Sequence, residues 1–379
     1  MKKKYLLIII TLIFLLILLF QAGFKRKRLR LYPSLPDLDT QGKVAKRITT
    51  ISNEGGRVDW SHINNLIVFD RPGEDGYYDV WIMNPDGSDQ KCLTCNKSQV
   101  PQENNGQPAW HPLGEYIVFQ AQDPNLKGLP SILSKAEKRL TSPGAGVNNN
   151  LWLMDEKGER FWQLTNISEK KAVLHPHFSY DGKKLLWAEL VDNEPKPVGR
   201  WLIKIANFVF ENDQPHLSNI QEYQPGNMQF YETHGFSADD ETVFFSGTKD
   251  DQYKNLDIYT YNLKTQQLKA LTDSSLAQWD EHAQLSPDGK KIVWMSSMDI
   301  EQEIKNHKVI TDYWIMNSDG SEKEQLTYFN DPKAPEYLAN NIVAADASFS
   351  PDGKKIVAYI FSGKGANDGR EAILIIELN

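Results

Sequence analysis

One sequence unit recurs six times along this chain of 379 residues, and this repetition limits the possible folds more than any other feature. Each unit opens with an aromatic or apolar anchor residue and a polar turn, and a short apolar run follows. Short apolar runs between turn residues predict strands. The anchors are Trp60, Trp110, Phe178, Phe236, Leu285 and Phe349. The apolar runs occupy residues 66–69, 116–119, 185–187, 243–245, 292–294 and 356–359.

Most units continue with a third strand, a second turn and a closing strand. Turns such as Pro-Asp-Gly at residues 287–289 favour hairpins, because Pro presets φ and Gly adopts the left-handed conformation freely. Four strands a unit predict one blade of a β-propeller, and the third unit departs from this pattern after Trp201. The residues that precede the third strand are Asp79, Asn150, Asp257 and Asp312. The closing Leu-Thr pairs are residues 93–94, 164–165, 271–272 and 326–327.

The sixth unit lacks a fourth strand of its own. It supplies strands near residues 347–349, 356–360 and 372–377. Residues 45–50 resemble the closing strands but precede the first anchor, so we expect them to complete the sixth blade. The predicted fold is all-β: a six-bladed β-propeller over residues 45–379, with an N-terminal strand closing the last blade and one transmembrane helix before it.

The repeated unit resembles the WD40-like repeat of the TolB-type β-propeller family. The resemblance rests on the phrase Ser-Pro-Asp-Gly-Lys-Lys at residues 350–355, on Asp-Tyr-Trp-Ile-Met at residues 312–316 and on the Leu-Thr pairs. It covers nearly all of residues 45–379. Relatives include periplasmic scaffold proteins and the propeller parts of peptidases, so the resemblance implies the fold and leaves the function open.

The N-terminal region predicts a membrane anchor. Residues 5–20 carry no charge, and residues 21–24 extend them to about the twenty residues that span a bilayer, so the predicted anchor is residues 1–24. Their end lacks the small residues of a cleavage site, which favours an uncleaved anchor over a signal peptide. Residues 25–44 would form a basic juxtamembrane linker. Basic residues flank both sides and leave the orientation undecided. Since exported propellers are usual in the family, the predicted localisation is a single-pass membrane protein with a periplasmic or extracellular propeller.

The charge of the remaining chain limits its partners. Eight Lys and Arg residues lie within the first thirty positions, so a net charge of −8 leaves the rest strongly acidic. An acidic body repels phosphate backbones, and we expect no nucleic-acid partner.

Two cysteines, Cys92 and Cys95, form one C-x-x-C motif where a predicted strand ends. Three interpretations stay open: an incidental or structural pair, a disulfide in an exported domain, and a metal or redox site.

Polar residues stand three positions before every anchor. Period-two alternation places them on a common side of the inner strands, where they would line the central channel at its mouth. These candidate ligand-binding residues are Arg57, Gln107, His175, Thr233, His282 and Asp346, joined by their neighbours Glu232, His234 and Glu281. Asp59 and His177 lie close in sequence. The channel could be merely wet, could bind a small ligand, peptide or glycan, or could hold a metal through His175, His282 and an acidic neighbour. The preferred prediction includes no metal, no cofactor and no catalytic residue.

The segments between the second and third strands are long, and the alternation of strand direction puts them on one face. They are residues 120–149, 192–200, 299–311 and 361–370. Long loops on a rigid scaffold usually carry recognition. We therefore expect a protein, peptide or glycan partner at this long-loop face.

The motifs of common enzyme classes are absent from the sequence. No G-x-S-x-G, H-E-x-x-H or G-x-x-x-x-G-K-[ST] motif occurs. The predicted function is a membrane-anchored, extracytoplasmic binding or scaffold module. The alternative is a carbohydrate- or peptide-processing lyase or hydrolase with His175 or His282 as the base at the channel mouth.

Overall fold

The computed structural model describes residues 38–40, 42, 44–126, 140–194, 199–248, 255–273, 278–300, 309–339, 341–362 and 371–379. Their regular structure consists of 25 β-strands and a short 3-10 helix at Pro225–Asn227. The first half of the strands, in chain order, is β1 (Leu38–Asp39), β2 (Ala45–Ser52), β3 (Gly56–Trp60), β4 (Ile67–Pro72), β5 (Tyr78–Met83), β6 (Lys91–Cys92), β7 (Asn105–Trp110), β8 (Tyr116–Gln122), β9 (Asn149–Asp155), β10 (Phe161–Gln163), β11 (Ala172–Phe178) and β12 (Lys184–Asp192). The second half is β13 (Arg200–Glu211), β14 (Gln214–Tyr223), β15 (Phe230–Phe236), β16 (Thr242–Thr248), β17 (Asp257–Asn262), β18 (Leu268–Ala270), β19 (Asp280–Leu285), β20 (Lys291–Ser296), β21 (Asp312–Asn317), β22 (Glu324–Gln325), β23 (Ile342–Phe349), β24 (Lys355–Ser362) and β25 (Glu371–Leu378).

The strands form six antiparallel sheets, each of which is one blade of a propeller. Blades 1 to 5 contain β3–β6, β7–β10, β11–β14, β15–β18 and β19–β22, and blade 6 is built around β23–β25. Each inner strand contacts the inner strand of the next blade, and β23 contacts β3, so the ring is closed. Every predicted anchor is the last residue of an inner strand, from Trp60 in β3 to Phe349 in β23. The six-bladed all-β prediction is confirmed.

The sixth blade combines the two ends of the described chain. Strand β2 pairs antiparallel with β25, and Ile48 lies opposite Ile376 in this pairing. Both side chains are buried. The predicted closure by residues 45–50 is therefore confirmed. Strand β1 pairs with the outer side of β2 and adds a fifth strand that the sequence pattern did not predict.

The Leu-Thr pairs are explained by a hydrogen-bonded arrangement that recurs in four blades. Each threonine hydroxyl donates to an acidic or amide side chain at the first or second position of the third strand. The same hydroxyl accepts the backbone N–H of the residue that follows this side chain. These two hydrogen bonds join the threonine to the third strand. The Leu-Thr pair and the acidic or amide residue therefore occur together in the sequence. The hydroxyl–oxygen distances are 2.7 Å for Thr94 and Asp79, 3.1 Å for Thr165 and Asn150, 3.2 Å for Thr272 and Asp257, and 3.1 Å for Thr327 and Asp312. The N–H donors are those of Val80, Leu151, Ile258 and Tyr313.

The third blade replaces this motif with a long hairpin. Strands β13 and β14 contain 12 and 10 residues, and Glu211 pairs with Gln214 across a two-residue turn. The turn residues Asn212 and Asp213 have φ values of 51° and 65°, as a type I′ turn requires. Phe210 stacks on Tyr116 of blade 2 at 5.1 Å between ring centroids. The hairpin therefore gives blade 3 four strands and packs it against its neighbour.

Cys92 and Cys95 form a disulfide. Of the three interpretations that the sequence left open, the structure contains the disulfide. It links the end of β6 to the turn that follows, where Cys95 N also donates to Cys92 Sγ.

The localisation predicted from the sequence requires a correction. The predicted anchor, residues 1–24, lies outside the described residues, as does most of the predicted linker, residues 25–44. Among the residues that the structure does describe, no helix is both long enough and apolar enough to cross a membrane. The predicted single-pass localisation is therefore corrected to this extent: the described residues contain no segment that supports it.

Candidate functional site

Every inner strand carries a β-bulge at or beside its predicted polar residue. The pairing register shifts between Gly56 and Asp59 in β3, and equivalent shifts occur in the five other inner strands. A bulge bends the strand and re-aims its side chains. Four of the six predicted residues have left-handed backbones, which cost of order 1–2 kcal/mol each for a residue with a Cβ. Their φ values are 43° for Arg57, 51° for Gln107, 48° for His175 and 55° for His282.

Gln107, His175 and Asp346 meet although they come from blades 2, 3 and 6. Gln107 Nε2 lies 3.2 Å from His175 Nδ1 and donates to Asp346 Oδ1 at 3.0 Å. These contacts cross the centre of the ring, so the predicted residues converge there. All six lie within their strands and not at the first residue, because the strands begin earlier than the sequence indicated.

Glu232 of blade 4 is the shared neighbour of two imidazoles. Its Oε1 lies 3.2 Å from His175 Nε2 and 3.5 Å from His282 Nδ1. The same His282 Nδ1 lies 3.5 Å from Asp346 Oδ1, and His282 Nε2 lies 3.7 Å from Glu281 Oε2. Three carboxyl groups therefore surround one imidazole at the ring centre.

The remaining predicted residues are held mainly by hydrogen bonds to the scaffold. His234 Nε2 lies 2.7 Å from Ser246 Oγ, and its ring centroid is 6.0 Å from that of His282. Thr233 Oγ1 donates to the backbone oxygen of His175 at 2.7 Å, so it orients the neighbouring strand. His177 is partly exposed beside this central cluster. The cluster consists of Gln107, His175, Glu232, His234, His282 and Asp346.

Asp59 joins three blades. Its Oδ1 accepts a hydrogen bond from Ser348 Oγ at 2.9 Å, and its Oδ2 accepts one from the N–H of Trp110 at 2.8 Å. These partners belong to blades 6 and 2, whereas Asp59 belongs to blade 1. Its role in the described structure is to hold the ring together.

Arg57 pairs with a carboxylate that the sequence interpretation missed. Arg57 Nε donates to Asp70 Oδ2, and the same oxygen accepts the N–H of Gln107 at 2.9 Å. The Arg57 guanidinium also lies over the ring of Tyr78, 4.5 Å from its centroid. Asp70 is fully buried, and burial raises its pKa to about 7 against the opposing effect of Arg57. The sequence offered one indication of Asp70, which is the carboxylate directly after the apolar run 66–69.

Burial sets the charge state of the cluster. It raises the pKa of Glu232 well above its usual value, and the carboxylates of Glu281 and Asp346 raise it further. Burial also lowers the pKa of His175 and of His234 well below the usual value, and in both cases the His282 imidazole adds to this effect. The imidazoles of His175 and His234 are therefore neutral at pH 7, and each ring has one nitrogen that can act as an acceptor or a ligand.

Two buried side-chain oxygens of the cluster have no hydrogen-bond partner among the described residues. They are Glu232 Oε1 and Gln107 Oε1, in residues that are 4% and 7% exposed. Glu232 Oε1 is near two imidazole nitrogens but lacks hydrogen-bond geometry with either. A buried polar atom without a partner costs about 1–3 kcal/mol, so both oxygens favour an additional bound group.

The long segments predicted to form the partner face fall largely outside the described residues. These parts are residues 127–139, 195–198, 301–308 and 363–370. The structure therefore leaves the partner face a prediction, and ligand binding by the clustered residues also stays a prediction.

Solved structures provide the comparison that identifies the fold. TolB from Acinetobacter baumannii is 18% identical, with a TM-score of 0.51 over 84% of this chain and 65% of that chain. A candidate TolB from Agrobacterium tumefaciens is 14% identical, with a TM-score of 0.50 over 91% of this chain and 99% of that chain. This chain has the TolB-type β-propeller fold. At this level of identity, the similarity to TolB shows the fold alone. Any ligand of this propeller has to be inferred from its own residues.

No family model matches the chain. A curated relative, dipeptidyl-peptidase 5 of Porphyromonas gingivalis, is 22% identical over 236 residues, which are 58% of this chain. The match spans 33% of the length of that peptidase. The relative's name therefore describes a much longer protein, and the likeness does not carry its activity over to this TolB-type propeller.

Proposed function

We propose that this TolB-type propeller is a binding module that takes a protein, peptide or glycan partner at the ring centre and the long-loop face. The observation that carries the proposal is the buried, partnerless Oε1 of Gln107, in a cluster that five blades supply. An incoming N–H or O–H group would satisfy that oxygen and remove its desolvation cost. Peptides and glycans are the partner classes richest in such donors.

The strained inner strands also support binding. Left-handed backbones at Gln107, His175 and His282 persist only because the surrounding sheets hold them. Such strain is common where a side chain must be aimed at a ligand. A channel that only held water would require polar side chains, but it would not require a β-bulge in every inner strand.

A pair of variants tests the proposal. The full chain, Gln107→Leu and Lys290→Ala would be applied to arrays of defined peptides and oligosaccharides. Lys290 lies in an Asp-Gly turn and its side chain is 79% exposed, so its variant serves as the control. We expect ligands that bind the full chain and Lys290→Ala alike and bind Gln107→Leu about tenfold more weakly, which corresponds to about 1.4 kcal/mol. Equal binding by Gln107→Leu, or no ligand on either array, would refute the channel as the binding site.

The enzyme alternative rests on one contact. His175 Nε2 and Glu232 Oε1 are 3.2 Å apart, which is within the range of an imidazole–carboxylate pair in acid–base catalysis. Chromatography of each array ligand after incubation with the protein separates the two functions. Recovery of intact ligand supports a binding module, whereas cleaved products would support a lyase or hydrolase.

A further inference from the structure

Four side chains at the ring centre have the composition of a transition-metal site. They are Glu232, His175, His234 and His282, which come from the inner strands of blades 3, 4 and 5. We propose that they bind one divalent first-row transition-metal ion, with Glu232 as the oxygen ligand and the three imidazoles as nitrogen ligands. This site goes beyond the partner proposed above and does not depend on it.

Three of the four side chains lie close enough together for a single ion, because one ligand atom each from His175, Glu232 and His234 lies within 4.8 Å of the others. His282 joins this set through Glu232, since its Nδ1 lies 3.5 Å from Glu232 Oε1. Tetrahedral ligands at about 2.1 Å from zinc are roughly 3.4 Å apart. The observed separations of 3.2 Å and 3.5 Å between Glu232 Oε1 and the two imidazole nitrogens are close to this value.

The three imidazole rings also lie near one another. Their centroids are 5.3 Å apart for His175 and His282, 6.0 Å for His234 and His282, and 6.3 Å for His175 and His234. Imidazoles that share a tetrahedral ion have centroids about 5 Å apart. The observed separations exceed this value by about 1 Å at most.

Glu232 Oε1 provides an independent indication of a ligand. It is buried, faces two imidazole nitrogens and has no hydrogen-bond partner among the described residues. A bound cation would satisfy this oxygen and would also balance Glu281 and Asp346, whose carboxyl groups lie beside His282.

Neighbouring groups fix the ligands in place, as they do in known metal sites. Ser246 Oγ lies 2.7 Å from His234 Nε2, within reach to accept a hydrogen bond from that nitrogen. Trp279 Nε1 donates to Glu281 Oε2 at 2.7 Å and holds that carboxylate beside His282. Three nitrogen ligands and one oxygen favour Zn²⁺ or a similar imidazole-binding transition metal over Ca²⁺, Mg²⁺ and Mn²⁺, which prefer oxygen ligands.

Calorimetry and metal analysis on the untagged full chain, stripped with chelator and dialysed, would test the site. We expect one Zn²⁺ or Co²⁺ per chain, with Mg²⁺ and Ca²⁺ failing to compete. Glu232→Gln and His234→Asn should each weaken Zn²⁺ binding about 100-fold or more, because each removes a direct ligand. His111→Asn is the matched control, since His111 is buried and contacts the backbone oxygen of Gly182.

A second control addresses the other group that could hold a cation, formed by Asp79, Cys92 and Cys95. The double variant Cys92→Ser/Cys95→Ser should retain one Zn²⁺ per chain. Loss of Zn²⁺ in this variant, or undiminished binding by Glu232→Gln, would overturn the proposal.

X-ray absorption at the zinc edge measures the ligands of the bound ion in the wild-type chain. It therefore tests the site even if a ligand variant fails to fold. We expect scattering from three imidazoles and no sulfur. Sulfur bound to the zinc, fewer than two imidazoles, or no zinc retained after dialysis would refute the site. Because no array ligand takes part, these outcomes are separate from failure of the proposed binding function.

Discussion

Thr327 Oγ1 donates a hydrogen bond to Asp312 Oδ1 at 3.1 Å while it accepts the N–H of Tyr313 at 3.0 Å. One hydroxyl therefore joins the closing strand of blade 5 to the strand beside it. All three residues are buried, so water cannot replace either bond. The same pairing in blades 1, 2 and 4 makes it the repeated unit of blade cohesion in this propeller.

Replacing Thr327 with valine should therefore destabilise the protein. Thr327→Val keeps the shape and removes both hydrogen bonds, which leaves the Tyr313 N–H without its acceptor. We expect the free energy of unfolding to fall by about 2 kcal/mol in urea denaturation. Thr327→Ser retains the hydroxyl and should cost less than the valine variant. A serine variant less stable than the valine variant would show that the methyl group, not the hydroxyl, matters.

Asp312 should make the stability depend on pH. Burial raises its pKa to about 7 in the folded protein from 3.8 in the unfolded chain. Between these values the folded state binds the extra proton, so this contribution is complete below about pH 4 and is lost as pH rises through about 7. We expect Asp312→Asn to flatten the fall of the urea midpoint between about pH 4 and about pH 7.

Asp288 is the control for this pH dependence. In its exposed turn, the hydroxyl of Ser286 and the N–H of Lys290 lower its pKa. Its stabilisation is therefore present above about pH 4 and is lost as pH falls below it. Asp288→Asn should change the profile only in that acid range. An identical change by both variants between pH 4 and 7 would contradict the assignment to Asp312.

Substitutions in β2 should show how strongly ring closure stabilises the propeller. Ile48 is 1% exposed between β25 and the core, so Ile48→Ala should reduce the free energy of unfolding by about 3 kcal/mol. Lys46→Ala, at an exposed position of the same strand, should change it by less than about 0.5 kcal/mol. Hydrogen exchange of the amides in Glu371–Leu378 should rise in Ile48→Ala. Unchanged protection there would contradict closure by β2.

The disulfide between Cys92 and Cys95 should contribute modestly. It closes a loop of only four residues, for which the loss of unfolded-chain entropy corresponds to about 2 kcal/mol. Cys92→Ser/Cys95→Ser should lower stability by about that amount or less, and wild-type protein treated with reductant should match the double variant. A wild-type mass that equals that of the fully reduced chain would show that the bond does not form.

Much of the propeller was predictable because its information is local. Each anchor, turn and apolar run specifies one hairpin, and six copies specify six sheets. The closing strand was predictable because residues 45–50 resemble a closing strand but precede the first unit, and the sixth unit lacked a fourth strand. The single residue pair Asp312 and Thr327 was visible as a pattern, but its hydrogen bonds required coordinates.

Blade 3 escaped prediction because it uses different chemistry. Its outer strands lack the Asp and Leu-Thr pair, and the only local signal was the turn dipeptide Asn212-Asp213. Strand β1 was missed because two residues cannot show a period. The membrane prediction depended on residues 5–20, which lie outside the described residues, and no helix among the described residues supports the localisation drawn from them.

The candidate site was predicted as positions but not as contacts. Spacing from the anchors identified Gln107, His175 and His282. Their meeting across the ring depends on β-bulges, which a pattern of alternating residues does not reveal. Asp70 was missed because it looked like the end of an apolar run. Distances between blades, such as that from Gln107 to Asp346, come from ring size and not from any local sequence.

The pairing of β2 with β25 has a consequence for how this protein is made. A ribosome releases Ala45–Ser52 more than 300 residues before Glu371–Leu378, so the early strand must wait with an open edge while five blades emerge. The pairing of β2 with β25 is then the last step of folding. It is slow because it joins the strands that are farthest apart in the sequence. A chaperone that shields a lone strand would act most usefully during this interval.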